Sequence, residues 1–392
     1  MSPLPRPLVA PAALLAGLLI LAATPAPSPE VDRASMDAAV APGADFFAYA
    51  NGTWVKTTEI PADRARWGVG AIVAQRTDRR TADLIKETAA ARPPAGSEAR
   101  KIADYYGAYM DEGAIEAAGV APLAPALARI AGIGDKMALA SALGAELRAD
   151  VDILNATNLH TERLFGLWVA QDLDDPTRYA PFLLQGGLGM PDRDYYLDPS
   201  PRMRAIRAAY LAHIAKVLSL AGVEGAPVKA TAIFDLERRI ALTHVSRADT
   251  EEVGKGDNHW TAADFSARGP GLDWKAYFAA AGLGNQARFV VWQPSAVTGI
   301  AALVGQAPLA TWKDYLTFHA IDRAAPVLPK AFVDEDFDFN GRVLSGTPAS
   351  APAGAGRWTP PTRRSAKRWA GSTPSATSRR RPRPRSRSWW PI

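Results

Sequence analysis

With 392 residues and 48% hydrophobic content, the chain can bury a large core and can form two or three domains. It has no cysteine, which excludes disulfides, thiolate zinc sites and a lipoprotein anchor. The formal net charge of +5 misdescribes the body: eleven of the 45 Lys and Arg lie in residues 349–392, where no acid occurs. Upstream, 34 basic residues face 40 acidic ones, so binding of nucleic acid is not expected of the folded part.

A short basic start (Met1 to Arg6) precedes an apolar run from Leu8 to Ala23, with small residues at Ala23 and Ala26. Sixteen residues interrupted by Pro11 fall short of the ~20 needed to span a bilayer, so residues 1–26 read as a signal peptide. The expected location is periplasmic or secreted; the alternative is a membrane anchor formed by the same apolar segment. Next comes the aromatic stretch from Met36 to Gly68, with Phe46, Phe47, Tyr49, Trp54 and Trp67. Its residues predict a short helix, a turn at Asn51-Gly52, an extended arm through Ile60-Pro61 and a new helix entered near Arg66. Residue type alone makes the rings a core nucleus.

Helical periodicity runs from Val69 toward Pro93-Pro94, and Ile102, Tyr105, Tyr106, Tyr109 and Met110 form an apolar stripe capped by Ser97 that reads as core. Further helices are predicted over Leu123–Ile133, Lys136–Arg148, Pro201–Gly222, Pro227–Asp249, Trp274–Ala281, Ser295–Val304 and Pro308–Ala324. Two strand-like runs, Phe165–Gln171 and Tyr179–Gln185, flank the polar loop DLDDPTR and predict a β-hairpin. Gly186, Gly187 and Gly189 permit a tight bend before Pro191, and no Gly-Lys-Ser/Thr follows them to make a phosphate loop. Glu237, Arg238 and Arg239, with Lys313 and Asp314, read as solvated helix faces. The acidic run VDEDFDF from Val333 lacks the glycine and terminal glutamate of a calcium loop.

Four stretches carry a resemblance. Asp45, Phe46, Phe47, Tyr49, Asn51, Gly52, Trp54, Ile60, Pro61, Arg66, Trp67 and Gly68 fall on one pattern, followed by YYGAYMDEGAIEAAG from Tyr105, GGLGMPDRDYYL from Gly186, and the segment from Pro308 to Thr347. In that order they resemble the front half of the neprilysin and endothelin-converting-enzyme family of zinc metallopeptidases, in a bacterial-type branch without disulfides. The resemblance implies a mainly α fold over residues 30–347: a multi-helix lobe that, with a second lobe, encloses a cavity for peptide substrates. It also implies that Arg66 receives the C-terminal side of the substrate, since a guanidinium matches a carboxylate with two parallel donors. A second family arginine corresponds to Ala74 here, with Arg76 two residues beyond, which weakens end recognition. The bland alternative for Arg66 is a structural ion pair, with Asp63 or with an acid elsewhere.

Zinc peptidases of this lineage need H-E-x-x-H, because i and i+4 on a helix put two imidazoles on one face with a glutamate to activate the metal-bound water. The five histidines, His160, His213, His244, His259 and His319, include no such pair, and the substrate-backbone motif Asn-Ala-aromatic-aromatic is also absent. The nearest sequence cluster, His244 with Asp249, Glu251 and Glu252, is a poor metal set; no G-x-S-x-G occurs. No catalytic residue, metal ligand or cofactor is therefore expected in this chain, whose zinc-binding C-terminal half is expected to be missing. The alternative is a noncatalytic exported module that binds peptides or other partners, with a basic tail.

Residues 348–392 are rich in Arg, Pro and Ser and read as disordered. A shifted reading frame is the other origin. Permitted codons for Trp358 through Arg380, read from the third base, spell DATDAALGEAVGRLYPERHFPP, which is similar to the helix and turn that follow in the family. Sequencing the gene tests this: a downstream peptidase-like frame is expected, and a single intact frame without one refutes it.

Overall fold

The computed structural model describes residues 32–149, 151 and 159–350. The expected signal peptide, the histidine-free stretch 152–158 and the arginines from Arg357 onward lie outside the described residues. The chain divides into two compact units between Ile60 and Pro61.

In the first unit a 3-10 turn, Arg33–Ser35, precedes helix α1, Phe46–Thr57, which Asp45 caps by accepting from the Ala48 N–H at 2.9 Å. Asn51-Gly52, predicted as a turn, lies inside this helix. Tertiary packing overrides the local signal: the Asp37 N–H donates to Tyr49 O at 2.8 Å, and Thr53 Oγ1 donates to Met36 O at 2.7 Å. Lys56 Nζ meets Asp37 Oδ2 at 2.6 Å. Gly52 allows this approach, since a Cβ there would stand 2.7 Å from that of Asp37. The rings are not the expected core: Phe46 is 70% and Phe47 67% exposed, and Gly52 is the buried residue of α1.

The second unit opens with the arm 61–68 and three helices, α2 (Val69–Ala90), α3 (Glu98–Met110) and α4 (Glu112–Ala118). Ser97 caps α3 as predicted, at 3.1 Å from the Arg100 N–H. The apolar stripe of α3 is nevertheless not core, for none of these three helices buries a residue.

Burial begins with α5 (Ala124–Ala131) and α6 (Lys136–Glu146). The hairpin follows as β1 (Phe165–Gln171) and β2 (Tyr179–Gln185), antiparallel with Phe165 opposite Gln185 and Gln171 opposite Tyr179. Then come α7 (Asp194–Leu197), α8 (Pro201–Leu220) and α9 (Ala226–Thr243). The single helix predicted to Asp249 breaks at His244, and Ser246 caps a separate α10, Arg247–Glu251. After α11 (Val253–Gly256) a three-residue strand β3 (His259–Thr261) leads into α12 (Ala262–Arg268), α13 (Trp274–Ala280) and β4 (Arg288–Val291). Helices α14 (Pro294–Gln306), α15 (Leu309–Ala324) and α16 (Lys330–Asp336) complete the set, the last continuing into a π-helical segment, Phe337–Leu344.

The hairpin is half of a four-stranded sheet in the order β1-β2-β4-β3, with β2 and β4 parallel. Both faces are buried, which explains why these strands read as apolar runs without alternation. Phe165, Leu167, Leu183, Phe289 and Val291 join the main helical core, while Trp168, Phe182, Val290 and Trp292 form a smaller cluster in which Trp168 stacks on Phe182 at 4.9 Å. The main core is closed by α8, α9, α14 and α15. At its far end the Ala349 N–H donates to Ala62 O at 3.0 Å. No single helix among the described residues is long and apolar enough to cross a membrane, although α4 and the segment Ala121–Ala131 pass together as a pair bent by 62°.

Gly52→Ala is expected to separate Asp37 from α1 and to cost roughly 1–3 kcal/mol locally. Amide exchange of Asp37 reads this directly; unchanged protection would contradict the packing argument.

Candidate functional site

The loop after β2 is shaped by its glycines. Gly187 has φ +86°, a region open to glycine, and a side chain at Gly189 would collide with the Tyr210 hydroxyl. Three side chains from elsewhere fasten the loop: the Tyr315 Oη donates to Gly187 O at 3.1 Å, His244 Nε2 donates to Gly186 O at 2.9 Å, and the Met190 N–H donates to Tyr196 Oη at 3.0 Å. The bond to Gly186 also draws His244 out of α9 into extended backbone, φ −70° and ψ 145°, and so accounts for the helix break.

Behind the loop lies a buried polar cluster. Glu237 is 0% exposed; its Oε2 accepts from Tyr196 Oη at 2.6 Å, and its Oε1 lies 2.7 Å from His319 Nε2 and 3.2 Å from Tyr210 Oη. The solvated face expected for Glu237 is thus corrected: it points inward because α9 packs on α8 and α15 on that side. Burial, then the charge of Glu237, holds the Tyr196 and Tyr210 hydroxyls well above the usual tyrosine range. Lys313 and Asp314 are also tertiary: Lys313 Nζ bonds Ala131 O at 2.6 Å, and Asp314 pairs with Lys229 at 2.7 Å.

A second cluster joins α8 to the end of the described chain. His213 Nε2 is 3.0 Å from Asp322 and its Nδ1 3.1 Å from Glu335, while Phe339 stacks on the ring at 4.8 Å. Burial alone would push the imidazole down, but the bonds to Asp322 and Glu335 raise its pKa to about 9. Burial, with the charge of Asp322, lifts Asp336 to about 6, and Asn340 donates to it at 2.8 Å. The run VDEDFDF is therefore distributed around a helix. Glu335 and Asp336 turn toward these partners, whereas Asp334 meets Lys330 at 2.5 Å and Asp338 meets Arg342.

The sequence candidates are not gathered together. Arg66 is exposed in the arm before α2 and has no ion pair among the described residues; Asp63 instead lies 3.7 Å from Arg64. The acids that follow His244 in sequence are engaged by cations instead: Lys255 takes Asp249 at 2.5 Å and Glu252 at 3.1 Å, and Arg247 takes Glu251 at 3.1 Å. Burial keeps His244 neutral, with its pKa lowered to about 4. One group went unnoticed because its members lie far apart in sequence. Asp172 and Asp174 of the hairpin loop meet His259 of β3, Asp172 at 2.9 Å from Nε2 and Asp174 at 3.3 Å from Nδ1. Outside the glycine loop is a cavity of about 270 Å³, lined among others by Gln185, Arg193, His244, Arg247 and Glu251.

Residues 42–360 match the N-terminal model of peptidase family M13. The chain belongs to this family. The match continues past Thr347, where the resemblance legible in the motifs stops. This M13 chain is 30% identical over 250 residues to endothelin-converting enzyme-like 1 of Mus musculus, covering 62% of the chain and 31% of the relative. It is 23% identical over 319 residues to endothelin-converting enzyme 1 of Bos taurus, covering 80% and 41%. Among solved structures, the zinc metalloprotease Zmp1 of Mycobacterium tuberculosis, in complex with an inhibitor, superposes with a TM-score of 0.75 at 31% identity, over 84% of this chain and 49% of that one. PepO of Lactobacillus rhamnosis, at 15% identity and a TM-score of 0.62, shares the fold. The M13 chain spans less than half the length of each of these relatives.

Zinc chemistry of the H-E-x-x-H kind does not fit the side chains described. Asp172, Asp174 and His259 bring ligand atoms within 4.8 Å of one another, but they supply one imidazole, and carboxylates face both of its ring nitrogens.

The pH dependence of the core follows from His213. Unfolded histidine releases its proton near 6.5 and the folded one near 9, so this stabilisation is complete below about pH 6.5 and is lost as pH rises through about 9. It amounts to roughly 3 kcal/mol. His244 works on the acid side, where stability falls as pH drops from about 6.5 to about 4. His213→Gln is expected to lower the urea midpoint and to flatten its decline between pH 6.5 and 9, followed by tryptophan fluorescence; an unchanged slope would exclude the pairing.

Proposed function

We propose that this chain is the N-terminal, substrate-enclosing part of an exported zinc metalloendopeptidase acting on peptides, and that it is catalytically incomplete alone. The observation that carries this reading is the match to the M13 N-terminal model in a chain without H-E-x-x-H that covers 49% of the Zmp1 structure. A zinc-binding C-terminal half is its proposed partner, and the peptide lies between the two.

The uncovered helices support the same reading. Val69 is 79%, Leu84 63% and Ile102 43% exposed along α2 and α3, apolar surface of the kind that marks an interface. Export rests on the apolar segment of residues 8–23. Arg66, exposed on its arm and without an ion pair among the described residues, is the proposed contact for the C-terminal side of the substrate. The tail, residues 348–392, is proposed to be a frameshift product, an origin supported by the alternative frame from Trp358.

The purified chain is expected to bind no stoichiometric zinc, to hydrolyse no peptide and to self-associate through α2 and α3. Adding the C-terminal half of a close M13 relative, in trans or by fusion, is expected to bring zinc, turnover and a monomeric complex. In that complex Arg66→Gln is expected to raise KM about 10-fold for peptides with a free C-terminus, with a smaller effect on their amides. Zinc-dependent hydrolysis by the unassisted chain would overturn the proposal.

A further inference from the structure

The cavity beside the glycine loop has an uneven charge pairing. Each acid around it is already satisfied: Asp192 Oδ1 accepts from the Asp194 N–H at 2.8 Å, Glu251 pairs with Arg247 at 3.1 Å, and nearby Asp249 is held by Ser246 at 2.6 Å and by Lys255 at 2.5 Å. Arg193 is the exception. Its Nε is buried without a hydrogen-bond partner, and among the described residues its guanidinium takes part in no ion pair. A buried donor in that state has lost its hydration with no bond in exchange, a penalty that is larger for a charged group.

The arginine is also held in place. Its carbonyl accepts from the N–H groups of Tyr196 and Leu197 at 3.0 and 3.1 Å, and Tyr196 is itself anchored on Glu237. His244, which lines the same cavity, carries no proton on Nδ1, because Nε2 donates to Gly186 and burial keeps the ring neutral. The positive charge of Arg193 contributes to that neutrality. The charge of Arg193 helps to hold the Asp249 carboxyl low, yet among the described residues no carboxylate pairs with it directly. Such a guanidinium, on the wall of a cavity of about 270 Å³, suits a planar anion that can take two parallel donors.

We propose that this cavity is a carboxylate-binding site in which Arg193 receives the anion. Its ligand class is a small monocarboxylate, either a free organic acid or the C-terminus of a short peptide. The site is built from this chain alone and involves neither zinc nor Arg66, so its test is independent of the proteolytic reading.

Calorimetric titration of the full chain with acetate, N-acetylglycine, N-acetyl-Ala-Ala and N-acetyl-Ala-Ala amide tests it. Saturable binding of the free acids is expected, at least 10-fold tighter for N-acetyl-Ala-Ala than for its amide. Preference for the dipeptide over acetate assigns the peptide terminus, and the reverse assigns the free acid. Arg193→Gln is expected to weaken binding at least 10-fold and Arg193→Lys less. Bound acid is further expected to slow amide exchange in 186–193 and 244–251, a readout that needs no variant to fold. Equal affinity for acid and amide, unchanged binding by a folded Arg193→Gln, no exchange protection in these segments, or no saturable binding at millimolar acid would each overturn the proposal.

Discussion

A carboxyl group with no access to water organises this lobe. Burying Glu237 costs several kcal/mol unless donors replace its hydration, and Tyr196, Tyr210 and His319 supply them from three other helices. Four elements, α7, α8, α9 and α15, must therefore be in register together, and the same tyrosines set the loop after β2. The Tyr196 hydroxyl accepts from Met190 while donating to Glu237, so the polar core and the glycine loop share one side chain. The position of Arg193 is inherited from this arrangement.

The region around Glu237 contrasts with the first part of the second unit. From α5 onward apolar residues interlock around the sheet and α14, whereas α2, α3 and α4 pair without fully burying a residue. Helices of that kind draw little stability from packing, which is where most helix stability in proteins originates. The end of the described chain is better secured, because the charged ring of His213 sits between α15 and α16 and gives Phe339 a surface to stack on. Within the second unit, then, the packed part has its own ionic closure at His213.

Much of this was legible in the residues. Helices α8, α9, α14 and α15 follow from apolar periodicity, and the hairpin follows from two runs around a polar loop; the motifs in the same order gave the family. The rest depended on neighbours distant in sequence. Strands β3 and β4 are three and four residues long and gain their identity from pairing with each other and with β2. Asn51-Gly52 has the chemistry of a turn yet lies in a helix, because Asp37 packs on it. Glu237 sits beside two arginines in sequence and looks solvated, and nothing local reveals that Tyr196, Tyr210 and His319 converge on it. His259 and Asp172 are 87 positions apart, beyond the reach of any spacing rule. Arg66 is proposed on its motif alone, since an exposed arginine on an extended arm has no periodic signature.

The hydrogen bond from the Ala349 N–H to Ala62 O has a topological consequence. It closes nearly the whole second unit into a ring whose clasp lies four residues before Arg66. Polypeptide grafted after residue 349 starts its path next to that arginine, so the graft's first turn governs where the guanidinium can reach. A junction placed ahead of 349 opens the clasp and leaves the arm tethered on one side only.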